Sequence, residues 1–117
     1  DVPEKSSSSH EIDTEKLASL IQSEPDLVIL DARTGKYDDG RRIPGAKSLS
    51  SKASAKLIKE HAGPKDSLIV TYCSNLQCPA SAALAERLKS MGYKNVMEYP
   101  HGIDGWEKAG KKVLKVK

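Results

Sequence analysis

The chain of 117 residues contains no phenylalanine, one tryptophan and only two cysteines. A single pair, Cys73 and Cys78, falls short of the multi-bridge framework that holds a small secreted domain together. Without a second pair or a histidine cluster the two are also poor zinc ligands. Neither a metal nor a cofactor is expected. No run approaches the roughly 18 apolar residues of a membrane span, and no basic segment followed by an apolar one marks a leader. A membrane partner is therefore not expected. Blocks of one charge are missing too. The 19 basic and 16 acidic residues, net +3, are dispersed without a dense basic run or interleaved aromatics, which argues against nucleic acid.

What is present suits one domain: 38% of the residues are hydrophobic and 30% charged. A chain this long can bury a core without staples, which leaves both cysteines available for chemistry. Residues 1–10, with the polar run Ser6 to Ser9, are expected to form a flexible tail, either a processing remnant or an addition. Residues 11–117 are expected to fold, as a monomer. The cytoplasm is the favoured compartment, or the periplasm if residues 1–10 follow a removed signal. The lysine-rich end from Lys111 to Lys117 reads as a solvated edge, and a pI near 8.8 gives at most mild steering of small anions.

Asp13 is a good N-cap, with Ile12 and Leu17 at the spacing of a hydrophobic staple, so a helix is expected over 14–23 with Leu17, Leu20 and Ile21 on its apolar face. Leu27 to Leu30 is a short unbroken apolar run ending at Asp31, which suits a strand buried on both faces. From Ala32 to Ser51 only short apolar stretches and a Pro44-Gly45 turn are visible, and so long a connection in a small domain is often functional. A second helix is expected over Lys52 to His61, stopped by Gly63-Pro64. Ser67 to Tyr72 reads as another buried strand. A polar loop follows, then a helix entered at Pro79, with Ala83, Leu84, Leu88 and Met91 on one face and Gly92 as its C′ residue. Asn95 to Tyr99 reads as a further strand, and a short helix carries Trp106 before Gly110.

Helices alternating with buried strands predict a mostly parallel α/β sheet covered on both faces. Ligand sites in such sheets lie at the carboxyl ends of the strands. Asp31-Ala32-Arg33 and Cys73 both fall at such ends, so distant segments share one cleft. A cysteine between a strand and a helix N-terminus faces unpaired N–H groups and the positive end of the helix dipole. Both favour the nucleophilic thiolate. The competing reading is a buried, inert cysteine finishing a strand, and position alone leaves the two even.

Three further segments shift that balance: Asp31-Ala32-Arg33; Arg42-Ile43-Pro44-Gly45-Ala46; and Gly92-Tyr93 through Asn95-Val96 to His101-Gly102-Ile103-Asp104-Gly105-Trp106. In this order around a strand-end cysteine they resemble the rhodanese-like domain family over roughly residues 11–116. The resemblance implies a mostly parallel five-stranded sheet with helices on both faces, and sulfur transfer through a persulfide on Cys73. Ser74, Asn75, Leu76, Gln77, Cys78 and Pro79 would form the active-site loop, with Asp31, Arg33 and Arg42 in support. The partners implied are a small sulfur donor and a thiol, cyanide or protein sulfur acceptor.

Departures from the family pattern shape the expectation. Active relatives typically carry a basic residue in the loop after the cysteine, whereas Cys73 to Pro79 contains none, so weak use of thiosulfate is expected. The segment from Cys73 to Gly92 is about two residues longer than usual and resembles that of the related dual-specificity phosphatases. Those need an arginine near the position of Pro79 to hold equatorial oxygens. Arg33, Arg41 and Arg42 could supply charge from the neighbouring loop, although an Asp31–Arg33 pair buttressing the fold is the stronger reading. His101 reads as an exposed turn residue, His10 and His61 as solvated, and Trp106, Tyr72 and Tyr99 as core anchors. Beside the sulfurtransferase stand two alternatives: a thiol redox protein cycling a Cys73/Cys78 disulfide, and a non-catalytic rhodanese-like binding module.

Overall fold

The computed structural model describes residues 10–33, 38–76 and 78–115. In chain order its elements are β1 (His10–Glu11), α1 (Thr14–Ser23), β2 (Val28–Asp31), β3 (Arg41–Arg42), β4 (Ala46–Ser48), α2 (Ala55–Ala62), β5 (Leu68–Tyr72), α3 (Ala80–Ser90), β6 (Asn95–Tyr99), α4 (Gly102–Lys108) and β7 (Leu114–Lys115). The two apolar runs become neighbouring strands, with Ile29, Leu30, Ile69 and Val70 buried. Around them the sheet is ordered β1-β6-β5-β2-β4, and every pairing in it is parallel.

Alternation along the strands divides the core in two. Leu30, Ile69 and Val96 face α2 and α3, where they pack with Ile58, Ala62, Leu84, Ala85 and Leu88. Ile29, Val70, Tyr72 and Tyr99 face the other way, against Leu17 and Leu20 of α1 and Ile103 and Trp106 of α4. The period of two along each strand therefore accounts for helices on both faces.

Local signals set the helix ends. The Asp13 carboxylate accepts from the Lys16 N–H at 2.8 Å, which caps α1 where expected, and Ile12 and Leu17 pack in one cluster. At the end of α3, Gly92 takes φ +101°; its N–H donates to Lys89 O, and the Tyr93 N–H donates to Leu88 O. This is a Schellman closure, and only glycine enters that backbone region without strain.

The structure corrects several expectations. The stretch 32–51 is not without elements: β4 runs beside β2, with Ile29 opposite Ala46, and β3 pairs antiparallel with β7. Both escape a reading by periodicity because β4 is a three-residue edge strand with exposed Lys47 and Ser48, and β3 has two residues. Helix α2 starts at Ala55 rather than Lys52, because the Ser54 hydroxyl accepts from the Leu57 N–H and fixes the entry there. Ala83 is exposed, and Ala85 takes the buried place beside Leu84. The sheet begins at His10, paired with Met97, one residue before the expected domain start. Residues 1–9 lie outside the described residues.

Candidate active site

Strands β2 and β5 lie side by side, yet the chain leaves β2 towards β4 on one side and leaves β5 towards β6 on the other. The crevice opened by that reversal lies at their carboxyl ends. Asp31 is the register partner of Tyr72 there, and the Ala32 N–H donates to Tyr72 O at 2.8 Å. Cys73 follows immediately and is 2% exposed. The two segments singled out in the sequence thus meet at one edge.

The loop after Cys73 is held chiefly by α4. Cys73 O accepts from the Ile103 N–H at 3.0 Å and Ser74 O from the Asp104 N–H at 2.9 Å. The Asn75 side-chain amide donates to Asp104 Oδ2 at 3.0 Å. Within the loop the Cys78 N–H donates to Asn75 O at 3.2 Å, and this turn brings the Cys73 and Cys78 Cα atoms to 6.1 Å. The two are joined as a disulfide, within the roughly 7 Å that a bridge allows. Pro79 then serves as the N-cap of α3. Ser81 anchors that first turn: its carbonyl accepts from the Thr71 hydroxyl and its own hydroxyl donates to Glu98.

The expected loop residues do not all face inward. Ser74 and Cys78 are half-buried, Asn75 is exposed, and Leu76 stands out at 67% exposure, so it does not line a pocket in this form. Gln77 lies outside the described residues.

Arg33, Arg41 and Arg42 are committed to carboxylates. Arg33 is fully buried; its guanidinium donates to both Asp31 oxygens and, at 2.9 Å, to Asp39, and it also reaches Arg41 O. Burial alone would lower its pKa, but Asp31 and Asp39 outweigh that and raise it. Arg42 donates to Asp38 at 2.7 and 2.9 Å and lies 3.4 Å from Asp31. The expected Asp31–Arg33 ion pair is present and buried, and Asp38 lies between Arg33 and Arg42. Tyr72 joins the same cluster. Its hydroxyl accepts from the Ile43 N–H, and burial, then Asp31, push its pKa well above that of an ordinary phenol.

Sequence reasoning missed Asp104, Asp38 and Asp39. Asp104 bridges Asn75 and Arg41, with Oδ1 2.8 Å from the Arg41 guanidinium, and the Asn75 amide together with Arg41 holds its carboxyl below the usual range. The segment His101 to Trp106 was the available signal, but its contact with the loop joins parts of the chain that no local pattern relates. His101 is exposed at the start of α4, and Trp106 is buried edge-on to Tyr99 with its indole N–H on Lys112 O. His61 is half-buried, its ring 3.1 Å from Leu57 O. Among the described residues no group of three or more His, Cys, Asp or Glu is placed to hold a metal, and no helix is long and apolar enough to cross a membrane. An open depression of about 560 Å³ lies near the amino-terminal ends of β2 and β5, bounded by residues such as Asp26, Glu60 and Ser67, and holds none of the candidate residues.

Comparison with known proteins agrees with this fold. The chain is 31% identical to arsenate reductase 2.1 of Oryza sativa subsp. japonica over 110 residues, covering 86% of this chain and 68% of that protein. Its fold resembles a Bacillus halodurans protein (TM-score 0.80, 24% identity, 92% of this chain and 77% of that one). It also resembles the rhodanese-like domain of an Anabaena sp. protein (TM-score 0.73, 22% identity, 91% and 79%). Against the thiosulfate sulfurtransferase of Pseudomonas aeruginosa the TM-score is 0.72 at 19% identity, covering 93% of this chain and 21% of that one. Residues 13–109 match the model of the rhodanese-like domain, and the chain belongs to that family of sulfurtransferases and related thiol enzymes.

Proposed function

We propose that the chain is a sulfurtransferase in which Cys73 carries sulfane sulfur as a persulfide. The observation that carries this reading is the placement of Cys73 at the end of the central strand β5, in the crevice beside Asp31, with its loop returning to the first turn of α3. Reduction of the disulfide frees the thiolate, which the first-turn N–H groups and the helix dipole favour. The thiolate attacks the outer sulfur of a donor; with thiosulfate the S–S bond breaks, sulfite leaves with the electron pair, and Cys73 holds the persulfide. A thiolate, cyanide or protein acceptor then takes the outer sulfur and restores the Cys73 thiolate. Asp31, Arg33 and Arg42 act through the framework beneath the loop. The test is intact mass after exposure of the reduced protein to thiosulfate, mercaptopyruvate or polysulfide. A gain of one sulfur atom is expected, absent in Cys73→Ser; equal transfer by Cys73→Ser rules out this nucleophile.

The Cys73–Cys78 bridge favours a second reading, a thiol redox cycle. Attack by the Cys78 thiolate on the inner sulfur of the persulfide would expel hydrosulfide and leave the disulfide. The arsenate reductase relative fits such a cycle, since reduction of an oxyanion by two thiols also ends in a disulfide. Cys78→Ser should hold its persulfide longer than the wild type. Equal lifetimes, with no bridged peptide after non-reducing digestion, remove the redox reading.

A further inference from the structure

The arginine with most to offer the loop is Arg41, which stands one carboxylate away from it. Its guanidinium spans Asp39, Asp104 Oδ1 at 2.8 Å and Glu107, while the other oxygen of Asp104 takes the Asn75 amide. Asp104 is thus the only described residue shown bonding both to this arginine and to the Cys73–Cys78 loop, to which its backbone N–H is also tied at Ser74 O. Across the whole cluster, three guanidiniums (Arg33, Arg41, Arg42) meet five carboxylates (Asp31, Asp38, Asp39, Asp104, Glu107). Among the described residues of the cluster, two negative charges are left over. The loop that carries Cys73 is therefore flanked by an engaged arginine behind a carboxylate, where a free cation would draw in a dianion.

Resting on the sulfurtransferase reading, we propose that Asp104 is a positioning residue that sets donor class, placing its carboxylate between Arg41 and the loop so that the site takes monoanionic sulfur donors in preference to dianionic thiosulfate. Two donors isolate the charge. Thiosulfate gives the Cys73 persulfide and sulfite; methanethiosulfonate, with a methyl group in place of one oxygen, gives the same persulfide and methanesulfinate. Each reaction breaks one S–S bond, and the leaving group carries away the electron pair.

The experiment measures second-order rates of persulfide formation on Cys73 of the reduced protein by peptide mass, for both donors, in the wild type, Asp104→Asn, Asp104→Glu and the double variant Arg41→Gln/Asp104→Asn. Removing one charge from the side chain bonded to the loop that carries Cys73 should move the thiosulfate-to-methanethiosulfonate ratio roughly tenfold towards thiosulfate in Asp104→Asn. That gain should shrink in about 1 M salt, where screening acts within roughly 3 Å. Asp104→Glu should keep the wild-type ratio, and the double variant, with cation and anion both gone, should return close to it. If Asp104→Asn slows both donors equally, Asp104 merely holds the loop and the proposal is overturned, as it is if the ratio does not move. A parallel arm follows alkylation of Cys73 by iodoacetate and iodoacetamide, which differ by the same single charge and need no sulfur transfer. Should no donor load Cys73 in any variant, the sulfurtransferase reading fails by itself; a shift of the alkylation ratio towards iodoacetate in Asp104→Asn still supports the role of Asp104, and an unmoved ratio overturns it.

Discussion

A methyl group placed on residue 102 would lie 2.5 Å from Cys73 O and 2.6 Å from both the carbonyl carbon and oxygen of Ser74, and the backbone there has φ +68°. All three are backbone atoms, so no flexible side chain is there to yield. Glycine is required because α4 must approach the loop closely enough for the Ile103 and Asp104 N–H groups to donate to Cys73 O and Ser74 O. Gly102→Ala should therefore cost about 1–3 kcal/mol of stability through the positive φ, with the contact adding to it. It should also change the rate at which the reduced Cys73 is alkylated, because the loop must move to admit the methyl group. A urea midpoint and an alkylation rate both equal to the wild type would show that the loop does not depend on this contact. Gly45 offers a comparison: φ is +88°, but an added Cβ would meet nothing within 4 Å, so its substitution should strain the backbone and leave Cys73 untouched.

At the scale of elements, the described residues between β2 and β4 carry a network of ion pairs, with Arg33 and Asp31 at its buried end. Arg33 and Asp31 both have side chains at 0% exposure. Removing one partner leaves the other buried and unpaired, so Arg33→Met should lose about 3–5 kcal/mol, whereas replacing both with apolar residues of similar volume should cost less. Urea unfolding of the two variants checks this, and a small loss in the single variant would place the stabilisation elsewhere. The same segment marks where the sequence stops being legible. Strands β2 and β5 announce themselves through apolar runs such as Leu27 to Leu30, and α1 through Asp13 and its staple. Cys73 and the Asp31-to-Arg33 segment were readable because strand ends are where a parallel sheet opens a crevice. Strands β3 and β4 carry no such signal: their partners β7 and β2 lie elsewhere in the chain, and pairing supplies what periodicity does not. Asp104 was hidden for the same reason, since its tie to Asn75 joins residues 29 positions apart.

Over the whole molecule, the ionic cluster links the loop after β2, strand β3 and helix α4, and its carboxylates make stability depend on pH. Arg42 holds Asp38, Arg41 holds Asp39, and Asn75 with Arg41 holds Asp104, each below the ordinary carboxylate range. A carboxyl whose folded pKa is depressed stabilises the fold fully above its unfolded pKa of about 3.9, and that contribution is lost as pH falls through the folded value. The urea midpoint should therefore be flat between about pH 7 and pH 5 and decline from about pH 4 downwards. Asp39 and Asp104 have side chains 47% and 44% exposed, so solvent screens their share, while Asp38 at 23% is better shielded. Asp38→Asn should accordingly flatten the acid limb more than Asp39→Asn does, and added salt should flatten it in the wild type. The comparison has a direct failure mode. If the wild-type midpoint holds constant to about pH 2.5, or if Asp38→Asn leaves the slope unchanged, the depressed carboxyls are not what stabilises this edge of the sheet, and the fold there must rest on the apolar contacts of Ile43 and Leu49 instead.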